Sequence, residues 1–321
     1  MISSKVIEKA YKNIKNDIHE TPLVYSQQLS KISGANVYLK MEHLQKTGSF
    51  KIRGVLNKLN SISNNNFDKT FVAASTGNHA AAFAYASEKF KFKGILFLPK
   101  NISEVKLKAL DKFKVDKVLF GKNSMETEQK ATTYANDIDG ILIHPYNDKH
   151  IIAGQGTIGL EIHSQLPEVT KILTPIGGGG LVSGICSYFS DFNNIEVIGC
   201  QPKNACEMYD SINQNYIVAP SSLVTIADAS AGGIEENAIT FDFCKKHISN
   251  FEIVDEESIK KAVAFMVKHH NIEIEPTAAI PVAAMINSKE YKNENVVIVL
   301  TGKKINKELL NEILSTYGKS N

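Results

Sequence analysis

Short apolar segments rich in β-branched residues recur along this chain, and most are followed within a few residues by a stretch of helical periodicity. Residues 36–41 (NVYLKM), 70–74 (TFVAA), 94–98 (GILFL), 117–120, 141–144, 171–175 (KILTP), 195–200 and 296–300 (VVIVL) read as strands. Residues 4–19, 50–62, 80–90, 103–113, 124–136, 157–165, 182–190, 257–269 and 277–285 read as helices, the helix at 50–62 with Ser49 as its N-cap. This alternation constrains the chain to α/β with parallel sheets. A length of 321 residues exceeds what one core usually supports, so two domains are expected. A polar break at residues 61–68, including the loop 64–68, and a turn at 144–149 bracket a compact segment. The expected division is a large domain of residues 1–51 plus 144–321 and a small domain of residues 52–143. A ligand cleft belongs between them, at the carboxyl ends of strands.

Charge and composition exclude several roles. A net charge of +2 is too balanced for a dedicated nucleic-acid binder. No apolar run approaches the roughly 20 residues of a membrane helix. The amphipathic, charged N-terminus lacks the apolar core of a signal peptide, so a cytoplasmic protein is expected. Four cysteines without a CxxC pair read as reduced thiols. Of 36 basic residues only Arg53 is an arginine. A carboxylate or phosphate elsewhere must therefore be held by backbone amides and helix ends rather than by a guanidinium fork.

Four strand ends carry chemistry. In Lys40-Met41-Glu42-His43-Leu44-Gln45-Lys46-Thr47-Gly48-Ser49-Phe50-Lys51-Ile52-Arg53-Gly54, Lys51 falls in the first turn of a helix after a glycine turn. The positive helix end disfavours an ammonium there, and a neutral lysine amine forms Schiff bases with carbonyl compounds. Taken alone, Lys51 could equally be one of many surface lysines. Gly177-Gly178-Gly179-Gly180 joins a strand to a helix, where consecutive N–H groups can close on one anion. This is neither G-x-G-x-x-G nor a P-loop, so a phosphate monoester suits it better than a dinucleotide. Ser75-Thr76-Gly77-Asn78-His79 also opens a helix and offers hydroxyls and amides to a carboxylate, or else simply caps that helix. Thr301-Gly302 follows the last strand and, by itself, is a turn.

An aldehyde-accepting amine and a phosphate cradle in one chain describe pyridoxal 5′-phosphate. The motifs T-G-S-F-K-x-R-G, S-x-G-N-H and GGGG, with Thr21-Pro22-Leu23, Gly154-Gln155-Gly156-Thr157 and Thr301-Gly302, cover nearly the whole chain. In these the sequence resembles the fold-type II pyridoxal-phosphate enzymes, in the serine/threonine dehydratase and serine racemase branch. The resemblance implies a two-domain fold like that of the tryptophan synthase β-subunit, with the cofactor in the interdomain cleft. It implies β-elimination of L-threonine and/or L-serine to a 2-oxo acid and ammonia. Lys51 would be the cofactor-binding and catalytic lysine and Phe50 would pack on the ring. Asn78 would bond the ring oxygen. Gly177, Gly178, Gly179, Gly180 and the amide of Leu181 would hold the phosphate, and Thr301 would face the ring nitrogen. Ser75, Thr76, Asn78 and His79 would surround the substrate carboxylate. A homodimer is expected from the same analogy.

The chain departs from the family pattern in places. Racemases carry serine where Thr76 stands, as a second acid/base opposite the lysine, so racemisation is the alternative and β-elimination the first expectation. Gln201 replaces one carboxylate of the racemase cation site, beside Ala205 and Glu207, so no metal is expected. A regulatory domain after the final helix is not expected. Residues 201–218 and 227–233 also look like dehydratases of hydroxyectoine-utilisation clusters, which leaves another β-hydroxy amino acid open as substrate. A non-catalytic binding protein on this fold is the remaining rival, against which Lys51, Asn78 and the four glycines argue.

Overall fold

The computed structural model describes residues 2–63, 66–102, 104–111, 113–221 and 223–318. The chain opens with α1 (Ser4–Ile14), β1 (Leu23–Tyr25), α2 (Gln27–Ser33), β2 (Asn36–Lys40) and α3 (Lys51–Asn60). There follow β3 (Phe71–Ala74), α4 (Asn78–Phe90), β4 (Gly94–Leu98), α5 (Glu104–Asp111), β5 (Asp116–Leu119), α6 (Ser124–Asp137) and β6 (Ile141–Leu142). The remainder comprises α7 (Lys149–Gln165), β7 (Lys171–Pro175), α8 (Gly180–Phe189), β8 (Glu196–Pro202), α9 (Glu207–Gln214), α10 (Ile239–His247) and β9 (Asn250–Val254). The last elements are α11 (Glu256–His270), α12 (Pro276–Asn287), β10 (Asn295–Val299) and α13 (Lys307–Tyr317).

Two sheets form. One has the order β1-β2-β10-β7-β8-β9 and the other β5-β4-β3-β6. All pairs are parallel except β1 with β2. Both faces of each sheet are covered, as parallel sheets require. Along β10, Val296 and Ile298 face the core beneath α11 and α12, whereas Val297 and Val299 face the core beneath α7 and α8. In β3, Phe71 and Ala73 pack toward α3 and α4, and Val72 and Ala74 toward α6. The pleat thus sends alternate side chains into different cores.

Helix α7 is the spine between the sheets. It begins at Lys149, not near residue 157, with Asp148 accepting the amides of His150 and Ile151 at 2.7 and 3.1 Å. Its glycines weigh against a helix locally, but they let two other helices cross it closely. A Cβ on Gly154 would lie 2.6 Å from the Arg53 carbonyl on α3. A Cβ on Gly184 of α8 would lie 2.4 Å from the Ile152 carbonyl on α7.

Other expectations need correction. The first helix ends at Ile14, and residues 15–18 turn, although Ile18 still reaches the core. Helix α3 starts at Lys51 without a side-chain cap, and the Ser49 hydroxyl is buried with no partner. The elements β1, α2, α9, α10 and β9 had no periodic signal. The expected loop at Asn64–Asn65 and helix start at Ser103 lie outside the described residues.

Arg53 is fully buried. Its guanidinium makes paired bonds to Glu42 at 2.7 and 2.8 Å and to Glu161 at 2.7 and 2.8 Å. Lys40 completes the cluster, donating to Glu161 at 2.7 Å and to the Thr21 carbonyl at 2.6 Å. Two cations and two anions thus compensate one another in the interior. The network ties β2, the loop before α3, α3 itself and α7 together.

Candidate active site

Strand order dictates where the site must lie. Strands β2, β10, β7 and β8 are neighbours, so the segments leaving their carboxyl ends converge. From β2 the chain reaches Lys51 through a loop sewn to the segment after β10. The Phe50 amide donates to the Thr301 carbonyl at 3.2 Å, and the Lys303 amide to Gly48 at 3.1 Å. From β7 it enters the glycine loop, and from β3, across the cleft, it enters residues 75–79.

These segments enclose one cavity of about 910 Å³. Phe50, Lys51 and Thr301 line it on one side, and Gly177, Gly178, Gly179, Gly180 and Leu181 on another. The other sheet contributes Ser75, Thr76, Asn78 and His79. Every residue singled out in the sequence for cofactor or substrate is therefore at this one cavity.

Lys51 is partly buried, and its Nζ donates to the Pro145 carbonyl at 2.7 Å. Burial brings its pKa down to about 8, against the opposing pull of Glu128 and Glu275. Withdrawal from water, rather than the helix end, is the leading cause. The Phe50 ring centroid lies 5.3 Å from the same nitrogen.

The glycine loop is bare for two reasons. Gly179 has φ +86°, which a side chain disfavours. At Gly178 a Cβ would come within 2.5 Å of the Tyr146 ring. The loop's main chain therefore borders the cavity directly at the start of α8, whose end has no side-chain cap.

Opposite, the Ser75 hydroxyl accepts the Gly77 amide at 3.2 Å, and a Cβ on Gly77 would meet nothing within 4 Å. The space before this loop is open. His79 is 2% exposed, and its Nε2 donates to the Ile143 carbonyl at 2.8 Å. Burial, with the Lys51 charge, pushes its pKa down to about 3, so it is neutral. It braces the loop between the strand ends while still bordering the cavity.

Pyridoxal phosphate fits these residues. The Thr301 hydroxyl and the Asn78 carbonyl oxygen are buried without a partner, so both have bonding capacity for a polar ring. A cradle without side chains suits its phosphate, and an amine of lowered pKa suits its aldehyde. The sole arginine is committed elsewhere, so no guanidinium competes.

Two residues at this site carried no sequence signal. Glu275, 4% exposed at the N-terminus of α12, accepts Asn78 Nδ2 on both carboxylate oxygens at 2.9 and 2.8 Å. Asn78, expected at the ring oxygen and the substrate carboxylate, is thus also bound to Glu275. Glu128 on α6 is held near a pKa of about 7 by burial, with Glu235 adding to the rise.

Glu128, His144 and Glu235 bring ligand-type atoms within 4.8 Å of one another. Nδ1 of His144 accepts the Tyr146 and Asn147 amides at 3.1 and 2.7 Å. Its proton therefore sits on Nε2 and goes to Glu235 at 2.7 Å. His144 and Glu235 are thus hydrogen-bonded to each other, with Glu128 beside them. At the position compared with the racemase cation site, Gln201 bonds the Ile176 carbonyl at 3.4 Å and the Tyr209 amide at 2.9 Å.

Comparison with known proteins agrees with this geometry. Residues 14–302 match the family model described as pyridoxal-phosphate dependent enzyme. The chain is 35% identical over 316 residues to an L-threonine ammonia-lyase of Thermotoga maritima, covering 98% of this chain and 79% of that protein. It superposes on the serine racemase of Dictyostelium discoideum with a TM-score of 0.87 at 32% identity, covering 95% and 99% of the two chains. Against the processed threonine deaminase isoform 2 of Solanum lycopersicum the TM-score is 0.90 at 29% identity, over 98% and 88%. With an amine, a bare phosphate cradle and two vacant polar partners around one cavity, this chain belongs to the family of pyridoxal-phosphate dependent enzymes, of fold type II.

Proposed function

We propose that the protein eliminates water from L-threonine and/or L-serine, releasing 2-oxobutyrate or pyruvate together with ammonia. The observation that carries this reading is the Lys51 amine, of lowered pKa, in the same cavity as the glycine loop and the Thr301 hydroxyl. The 35% identity to an L-threonine ammonia-lyase supports the substrate class.

When bound, the cofactor would supply an electron-withdrawing ring conjugated to the substrate's amino nitrogen, which acidifies the α-proton. The amides of Gly177 to Leu181 would hold its phosphate, Phe50 would pack on its ring, and Asn78 would bond the ring oxygen. Thr301 offers the ring nitrogen a neutral hydroxyl, which leaves that nitrogen largely unprotonated. This suits a reaction in which the departing β-hydroxyl takes the electrons. Lys51 would remove the α-proton as general base. Ser75, Thr76, Asn78 and the amides that open α4 would bind the substrate carboxylate, with neutral His79 fixing that loop. Thr76, a secondary alcohol, would stand on the face opposite Lys51 as the weaker acid/base group, which favours elimination over racemisation.

The proposed domain boundaries, 1–51 plus 144–321 and 52–143, are supported by the two sheets with separate cores. No helix among the described residues is long and apolar enough to cross a membrane. The reading extends to a cytoplasmic homodimer, on family analogy alone.

The test is product analysis with purified holoenzyme across a panel of β-hydroxy amino acids. Ammonia with 2-oxobutyrate or pyruvate in equal amounts is the expected result. D-serine without ammonia would point to the racemase alternative, and turnover confined to other hydroxy amino acids would displace threonine and serine. Lys51→Ala should lower turnover by about 10²–10⁴-fold.

A further inference from the structure

We propose that Glu275 is a positioning residue for the bound cofactor: by carrying or losing a proton, it decides which edge of the Asn78 amide faces the ring oxygen. This rests on the cofactor assignment but not on which amino acid is the substrate.

Glu275 is a junction. Its backbone amide donates to the Gly302 carbonyl at 3.0 Å, tying α12 to the turn after β10. A Cβ on Gly302 would lie 2.4 Å from Glu275 Oε1, so the carboxylate presses against the turn that carries Thr301. Its oxygens reach Asn78 on α4, in the other sheet's layer, at 2.9 and 2.8 Å. The Asn78 carbonyl oxygen remains buried without a partner. No salt bridge to Glu275 is present among the described residues.

The charged groups facing Glu275 are Lys51 from α3 and Lys304 from the segment after β10, which favour its anion, and Asp228 from the loop before α10, which opposes it. Burial outweighs them and holds the carboxyl at about 7. Both protonation states are therefore accessible near neutrality.

An ionised carboxylate only accepts, so it takes the amide N–H and leaves the Asn78 oxygen, an acceptor, for the ring oxygen. That arrangement favours a ring hydroxyl. A protonated Glu275 donates its O–H to the Asn78 oxygen and releases the amide N–H groups, which favour a ring oxygen anion. When Glu275 loses its proton to solvent the amide turns, and the ring oxygen then takes the proton it shares with the imine nitrogen of Lys51.

The visible absorption of bound cofactor senses the charge of that oxygen, so the test is a pH titration of the holoenzyme spectrum. Wild type should show a step near pH 7. Glu275→Gln, which always offers an N–H to Asn78, should lack the step and match the wild-type spectrum at its acid end. A Gln variant that keeps the step, or a wild type whose band is constant from pH 5.5 to about 8.5, overturns the proposal. Should the Gln variant fail to fold, Glu275→Asp decides. A displaced midpoint supports the coupling, and an unmoved one refutes it. A wild type that takes up no cofactor defeats the cofactor reading as well, whereas a band without a step defeats only this one.

Discussion

A lysine amine attacks an aldehyde only when neutral. Burial moves Lys51 from 10.5 to about 8, so its neutral fraction grows about tenfold per pH unit below 8 and levels above it. Cofactor capture by apoprotein should therefore accelerate with pH and plateau beyond about 8.5, as followed by stopped-flow absorbance. A rate independent of pH between 6 and about 8 would show that the amine is not the limiting group. Lys51, Asn78 and the four glycines are legible in the sequence because each belongs to a short motif whose neighbours are fixed by the chain. Glu275 is not: its partner Asn78 lies in a different helix and a different sheet layer, and only the folded chain brings them together. The cause of the lysine's shift was likewise hidden, since burial depends on segments far along the chain.

Among the elements, α7 best shows how local and global preferences diverge. Its glycines lower helix propensity, yet they allow α3 and α8 to cross at backbone contact. Gly184→Ala would force a methyl to within 2.4 Å of the Ile152 carbonyl and 2.5 Å of the Gly156 amide. The helices must then part, at a cost of about 1–3 kcal/mol. Denaturant unfolding should show a lower midpoint with an unchanged slope. A wild-type midpoint would mean that the crossing is not tightly set. Strand β10 was legible from its unbroken apolar run 296–300, whereas β1, with three residues, and β9, whose side chains are mostly half-buried, gave no alternation to read. Helix α8, buried along its whole length, begins at Gly180, two residues before the helix read from the sequence.

At the scale of the whole molecule, the cavity borders two sheets whose cores are separate. A ligand that touches both should stabilise the folded protein by about 2.7 kcal/mol at one hundred times its dissociation constant. Adding pyridoxal phosphate should therefore raise the melting temperature of apoprotein, by scanning fluorimetry, and a smaller rise should persist in Lys51→Ala through the phosphate cradle. A melting temperature indifferent to the cofactor would place its binding elsewhere. The α/β class followed from element order, and the two-domain expectation from chain length and the polar breaks.

The interior position of Arg53 has a chemical corollary. Dicarbonyl reagents that condense with guanidinium groups find no guanidinium on the native surface, because the chain's one such group is enclosed by Glu42 and Glu161. Labelling at that position would occur only when the interior opens, which makes this residue a built-in reporter of the protein's own integrity.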